Sequence, residues 1–119
     1  GFVSWARGWE PLRPEDCGAL WEHVVLESLQ ARFADQPICY WRDKQGHEVD
    51  FVIARKRDEV RAVECKWNPS VFDGAALKVF RRSYPKGRNY LVTPSAETAY
   101  PKRLGDLELT VCTPARVRA

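Results

Sequence analysis

Residues 47–67 read HEVDFVIARKRDEVRAVECKW, and their pattern decides the architecture. Two apolar runs, His47–Ala54 and Val60–Trp67, are rich in valine, isoleucine and aromatic side chains, and the polar link Arg55–Glu59 between them is short. That composition predicts two strands joined as a hairpin. With Lys56-Arg57-Asp58 as the loop, residue 55 faces residue 59, and counting back sets Asp50 directly across from Glu64. Directly opposed residues share a face of the sheet, and Lys66 joins that face by alternation. A slip of two residues would keep the face, whereas a slip of one would split the pair.

Outward from this hairpin the chain alternates between the two regular periods. Ile38–Arg42, after Pro37, reads as a preceding strand, and Asp43-Lys44-Gln45-Gly46 supplies the turn into the hairpin. Before it, a helix is expected from Pro14 or Asp16 to Phe33. Leu20, Trp21, Val24, Val25, Leu26, Leu29 and Phe33 cover one wide arc of its wheel. Glu22 falls within that apolar arc, between Leu29 and Phe33, an odd position for a carboxylate. After the hairpin, Asn68-Pro69 stops the third strand. Asp73 reads as the N-cap of a helix through Tyr84, which Pro85-Lys86-Gly87 ends. Arg88–Thr93 reads as a fourth strand and Glu108–Cys112 as a short edge strand, with residues 94–106 as a connection holding a helical turn over Ala96–Leu104. The order is α-β-β-β-α-β plus an edge strand, an α/β fold with a mixed central sheet between helices. Residues 1–13 form an irregular N-terminal segment whose Phe2, Trp5 and Trp9 are expected to pack on a neighbour, and residues 14–119 form the domain.

The 119 residues suffice for one core, and 45% apolar with 29% charged residues excludes a disordered chain. No run approaches the ~18 apolar residues of a membrane helix, and no signal-peptide pattern opens the chain, so no membrane partner is expected. Cys17, Cys39, Cys65 and Cys112 lie far apart without a CxxC pair, which argues against zinc and for reduced thiols in a cytoplasmic protein. Cys39 and Cys65 fall in apolar runs and are expected to be buried. The chain starts at Gly1 and holds no methionine, so a fragment of a longer protein is expected. Residues 1–66 carry a net −2 and residues 67–119 a net +5. Such a division suits a protein that holds a cation and approaches a polyanion, and equally an ordinary solvated surface. Lys78, Arg81, Arg82, Lys86 and Arg88 gather around the second helix, as a DNA phosphate track or a solvated face. Tyr40 and Trp41 read as core and sheet-packing residues, and Arg42 and Glu48 as a structural pair across the first hairpin. His23 and His47 receive no catalytic role.

Two carboxylates on neighbouring central strands repel each other and lose solvation. Side by side they share a proton or hold a cation. Mg²⁺ (or Mn²⁺) is the natural occupant, because this hard ion takes one or two protein carboxylates and fills its other positions with water and phosphate. Asp50 and Glu64 would hold the metal, with the backbone carbonyl of Cys65 as a third ligand. Lys66 would orient or deprotonate a metal-bound water, or stabilise a pentavalent phosphate. Glu22, if its helix covers this face, would be a further ligand or an acceptor behind the ligands. A salt bridge between Lys66 and one of the carboxylates, without metal, is the structural alternative.

Asp50 followed fourteen residues later by Glu64-Cys65-Lys66 resembles the PD-(D/E)XK nuclease motif. Val49 stands where the motif's proline would be. The element order matches that superfamily's restriction endonuclease-like core, and Glu22 matches the glutamate that some members carry on the first helix. A longer set, Gly18-Ala19-Leu20-Trp21-Glu22, Tyr40-Trp41-Arg42, Glu48-Val49-Asp50-Phe51-Val52 and Val63-Glu64-Cys65-Lys66-Trp67, is similar to the domain of unknown function that follows the P-loop domain in many prokaryotic AAA+-type ATPases. That resemblance covers about residues 1–93. It implies a Mg²⁺-dependent DNA phosphodiester hydrolase, catalytic through Asp50, Glu64, Lys66 and Glu22. The partners it implies are DNA and the ATPase domain of the same full-length chain, and a homo-oligomer stays open. No GxxxxGK[ST] occurs, so no nucleotide site is expected here. The alternative is a catalytically inactive nuclease-like domain that serves the ATPase as a nucleic-acid or protein interaction module. A third reading is a pure docking domain that uses Phe2, Trp5 and Trp9.

Overall fold

The computed structural model describes residues 14–56 and 59–118. The expected packing of Phe2, Trp5 and Trp9 lies outside them. Helix α1 (Pro14–Arg32) leads into β1 (Ile38–Arg42), β2 (Glu48–Lys56) and β3 (Glu59–Cys65). A 3-10 turn (Pro69–Val71) and α2 (Ala75–Ser83) follow, then β4 (Asn89–Val92), β5 (Tyr100–Leu104), β6 (Leu107–Cys112) and a last 3-10 turn (Pro114–Arg116). The strands form one mixed six-stranded sheet in the order β1-β2-β3-β4-β6-β5. The first three strands pair antiparallel, β3, β4 and β6 run parallel, and β5 pairs antiparallel with β6.

A helix covers each face. On one, Val25 and Leu29 of α1, with Phe33 just after it, pack on Phe51, Ile53, Val63, Tyr90 and Val92. On the other, Leu77 and Phe80 of α2, with Phe72, pack on Val49, Ala62, Leu91 and Val111. Consecutive residues such as Ala62 and Val63, or Leu91 and Val92, thus enter opposite cores. This two-sided burial explains why β3 and β4 read as continuous apolar runs. The buried stripe of α1 is narrower than its wheel suggests, with Val24 43% exposed. A hydrogen bond from Trp21 Nε1 to the Val92 carbonyl (3.0 Å) anchors the N-terminal half of α1 to the end of β4.

The expected register of the central hairpin is present over most of its length. Phe51 faces Val63 and Ala54 faces Val60, whereas a shift at the tip pairs Lys56 with Glu59. Two expectations need correction. The stretch expected to hold a helical turn is instead β5, an edge strand, and the strand expected at the edge, now Leu107–Cys112, lies inside the sheet between β4 and β5. Pro101 disguises β5 as a loop, yet an edge strand tolerates proline because its N–H side needs no ladder partner. The overlooked signal is Leu104-Gly105-Asp106-Leu107. Leu104 pairs with Leu107 around a two-residue turn in which Gly105 has φ of 63°, the glycine-first pattern of a type II′ hairpin. The N-cap of α2 is Gly74 (φ 76°) rather than Asp73, whose Oδ1 instead accepts the Ala75 N–H at 3.0 Å.

Gly87 has φ of 129°, and a Cβ there would stand 1.8 Å from the Val60 carbonyl oxygen. The chain passes this close because the Val60 N–H donates to the Lys86 carbonyl. Gly87→Ala is therefore expected to lower stability by roughly 2–4 kcal/mol in urea unfolding. Gly18→Ala, inside α1 with nothing within 4 Å of the added Cβ, should raise it by about 0.5–1 kcal/mol. Equal effects at the two positions would contradict this backbone packing.

Candidate functional site

The site begins with one residue too many. Between the pairs Cys39–Val52 and Trp41–Val49, β1 advances two residues while β2 advances three. The extra residue is a bulge at Asp50-Phe51, which lets Val49 and Val52 both face α2 while Phe51 faces α1. Bulges of this kind re-aim side chains and interrupt pairing. Beyond Phe51–Val63 the β2–β3 ladder stops, and carboxylates take over its hydrogen bonds. The Asp50 N–H donates to Glu64 Oε1 (3.1 Å), and the Cys65 N–H donates to Asp50 Oδ2 (2.8 Å). Each acid therefore satisfies a backbone donor on the neighbouring strand and keeps its second oxygen without a donor among the described residues.

Glu64 is 6% exposed, and Asp50 is half-buried. Together with Lys66 and Glu48 they line a pocket of about 270 Å³, closed by Phe72 and by Ala75 at the start of α2. A second pocket of about 270 Å³ adjoins it through Glu48 and Asp50 and is walled by Glu22, Tyr40 and Arg42. Lys66 is held at the strand end. Its N–H donates to the Val92 carbonyl (3.1 Å), and the buried Thr93 hydroxyl donates to the next carbonyl, that of Trp67 (3.3 Å).

The electrostatics follow from crowding. Burial and the Asp50 charge push Glu64 up to about 8, against the opposing pull of the Asp50 N–H and Lys66. Burial also raises Asp50, opposed by the Cys65 N–H and Lys66. Glu22 is raised by partial desolvation and by the charges of Asp50 and Glu48, although its side chain reaches solvent. Burial pushes the Cys65 thiol far above its ordinary range, so it stays protonated. The salt bridges among the described residues join His23–Glu27, Arg42–Glu48, His47–Asp43 and Arg103–Glu108. Lys66 enters none of them, so it moderates the acids through space. Among the described residues no three His, Cys, Asp or Glu side chains form a group able to hold a metal ion. Asp50 and Glu64 are joined through the backbone donors of Asp50 and Cys65, and Glu22 and Asp50 act on Glu64 by charge.

The expected ion pair of Glu48 with Arg42 exists, at 2.6 Å. The second role of Glu48, bordering both pockets, was legible from its position two residues before Asp50. Tyr40, expected in the core, is 73% exposed, whereas Trp41 does pack edge-on against Phe80 at 5.3 Å. Cys39 is likewise exposed rather than buried, because β1 is an edge strand, and all four cysteines are free. The basic cluster stands apart from the carboxylates. The N-terminal end of α2 lines the pocket, while Arg81 and Arg82 lie in its last turn, about 9 Å along the axis. Arg81 is a structural residue that bonds Asn89 Oδ1 and the carbonyls of Tyr84, Lys86 and Arg88.

A carboxyl whose folded pKa exceeds its unfolded one binds more protons folded than unfolded at any pH between the two. The stability that depends on Glu64 is thus full below its ordinary 4.5 and falls as pH rises toward about 8. Glu64→Gln keeps an acceptor for the Asp50 N–H and removes that dependence. In EDTA the variant should exceed the wild type by roughly 1–3 kcal/mol at pH 8 and match it near pH 4.5, measured by urea unfolding. A constant difference across that range would mean that Glu64 is not desolvated.

Among the described residues no helix is long and apolar enough to cross a membrane. No curated protein matches the chain. A family model does match, over residues 17–112, and this span runs from the first turn of α1 to the end of β6 and contains every residue of the site. By that match the chain belongs to the family described as Domain of unknown function (DUF4143).

Proposed function

We propose that this domain is a Mg²⁺-dependent phosphodiester hydrolase of PD-(D/E)XK type that acts on DNA in the cytoplasm, as the C-terminal arm of an AAA+-type ATPase. The observation that carries the reading is the pair of hydrogen bonds across the end of the β2–β3 ladder. They hold Asp50 and Glu64 side by side, each with one carboxylate oxygen uncommitted, on a pocket that Lys66 also lines. The all-oxygen donor set fits a hard divalent cation, which needs no more than two protein carboxylates. Asp50, Glu64 and the Cys65 carbonyl would hold it, with Glu22 accepting from water around it. The ion would lower the pKa of a bound water and offset charge on the phosphoryl oxygens. Lys66 orients the attacking water and neutralises the phosphate. The water oxygen bonds to phosphorus and releases a proton to solvent, the bond from phosphorus to the leaving sugar oxygen breaks, and that oxygen takes up a proton from solvent.

The second reading, an inactive interaction module, is favoured by the burial of Glu64 beside Asp50, which raises its pKa and lets a proton relieve the crowding in place of a cation. Thermal unfolding separates the two. Mn²⁺ or Mg²⁺ at a hundred times its dissociation constant should stabilise the wild type by about 2.7 kcal/mol and leave Glu64→Gln almost unmoved. A wild type indifferent to both metals excludes the hydrolase. Cleavage of duplex, branched or single-stranded DNA should then fall at least about 100-fold in Lys66→Ala. Activity that survives this change belongs to a contaminant.

A further inference from the structure

Helix α2 carries a line of positive charge away from the carboxylate site. Its Leu77 and Phe80 are buried against the sheet, whereas Ala75, Lys78 and Arg82 are exposed. Their i, i+3, i+7 spacing keeps these three within an arc of about 60° on the outer face of the helix. Ala75 lines the pocket of Asp50, Glu64 and Lys66. Lys78 and Arg82 follow it at about 4.5 and 10.5 Å along the axis. Both then wall a further pocket of about 470 Å³ against the β5–β6 turn, where Lys78 Nζ lies 3.5 Å from the place of a Gly105 Cβ.

These two cations take no part in holding the fold. Arg81 serves the carbonyls beyond the end of α2, those of Tyr84, Lys86 and Arg88. The side chains of Lys78 and Arg82 enter no hydrogen bond or ion pair among the described residues. Asp106 shares their pocket without pairing to either. Cations with no protein partner are open to an outside anion. The two stand about 6 Å apart along the axis, close to the spacing of consecutive phosphates on a nucleic-acid strand. We infer that nucleic acid lies along the outer face of α2, with Lys78 and Arg82 holding the phosphates next to the one at Asp50 and Glu64, and the strand leading toward the β5–β6 turn. The substrate is then a polymer, gripped by its backbone without regard to sequence. This rests on the nucleic-acid reading above and adds the path of the strand.

The test is fluorescence anisotropy of the full chain in EDTA, where neither metal nor cleavage intervenes, over a series of salt concentrations. The probes are labelled duplexes of two unrelated sequences and one of their single strands. Lys78→Ala and Arg82→Ala should each weaken binding roughly tenfold at low salt, alike for both sequences. Each should also flatten the salt dependence of log K by about 0.9 on duplex and about 0.7 on single-stranded DNA. Lys78→Arg and Arg82→Lys should restore the slope. Arg116→Ala, at an exposed arginine of the turn that Arg32 ties to α1, should leave it unchanged. Both track side chains are exposed and unbonded, so their loss spares the fold, which thermal unfolding checks. An unchanged slope in either alanine variant overturns the inference. So does polyglutamate of equal charge that displaces the probe as well as unlabelled DNA, because the surface would then suit an acidic peptide. The metal-dependent thermal shift is read separately. A shift with unchanged salt slopes removes the track and keeps the metal site, whereas flattened slopes without a shift remove the hydrolase and keep the track.

Discussion

A buried backbone N–H must find an acceptor, and at the end of the β2–β3 ladder two of them have lost theirs. The extra residue in β2 lets the strands part beyond Phe51 and Val63, and the N–H groups of Asp50 and Cys65 turn to carboxylates instead. Everything distinctive about this domain follows from that substitution. The two acids are part of the sheet's own hydrogen bonding, which is why a desolvated glutamate can occupy a central strand at all. The same bonds fix the separation of the two side chains, so their mutual repulsion is built in and the raised pKa values follow. A cation, a proton or the nearby ammonium of Lys66 relieves it.

The surrounding elements keep this junction open. Trp21 draws α1 onto the end of β4, and the buried Thr93 holds the backbone just after Lys66. Gly74 lets the chain turn sharply into α2, whose first residues close the pocket without filling it. Glu22 lies by angle in the middle of the apolar arc of α1, yet it is exposed, in the wall of the pocket that Tyr40, Arg42, Glu48 and Asp50 also line.

The legible parts of the sequence were those in which one residue type has one physical use. The alternation of apolar and charged residues in 47–67 set the hairpin register, because a slip by one would drive Asp50, Glu64 and Lys66 to the wrong faces. The bulge was not legible, since no glycine marks it. β5 was hidden by Pro101, whose meaning depends on whether a strand is internal or at an edge. Tyr40 and Cys39 were misplaced for the same reason: apolar runs look alike whether a strand has one neighbour or two.

The amino-acid sequence by itself determined the order of the helices and the first four strands, the register of the β2–β3 hairpin from Phe51–Val63 to Ala54–Val60, and the anomaly of Glu22, because these depend on local periodicity. Only the tertiary structure decided that the ladder breaks where the acids meet. It also decided that β6 inserts between β4 and β5, that the basic cluster stands away from the acids, and that Tyr40 and Trp67 are left in water. Each depends on which strands become neighbours and how far they part, and that is settled by packing across the whole sheet.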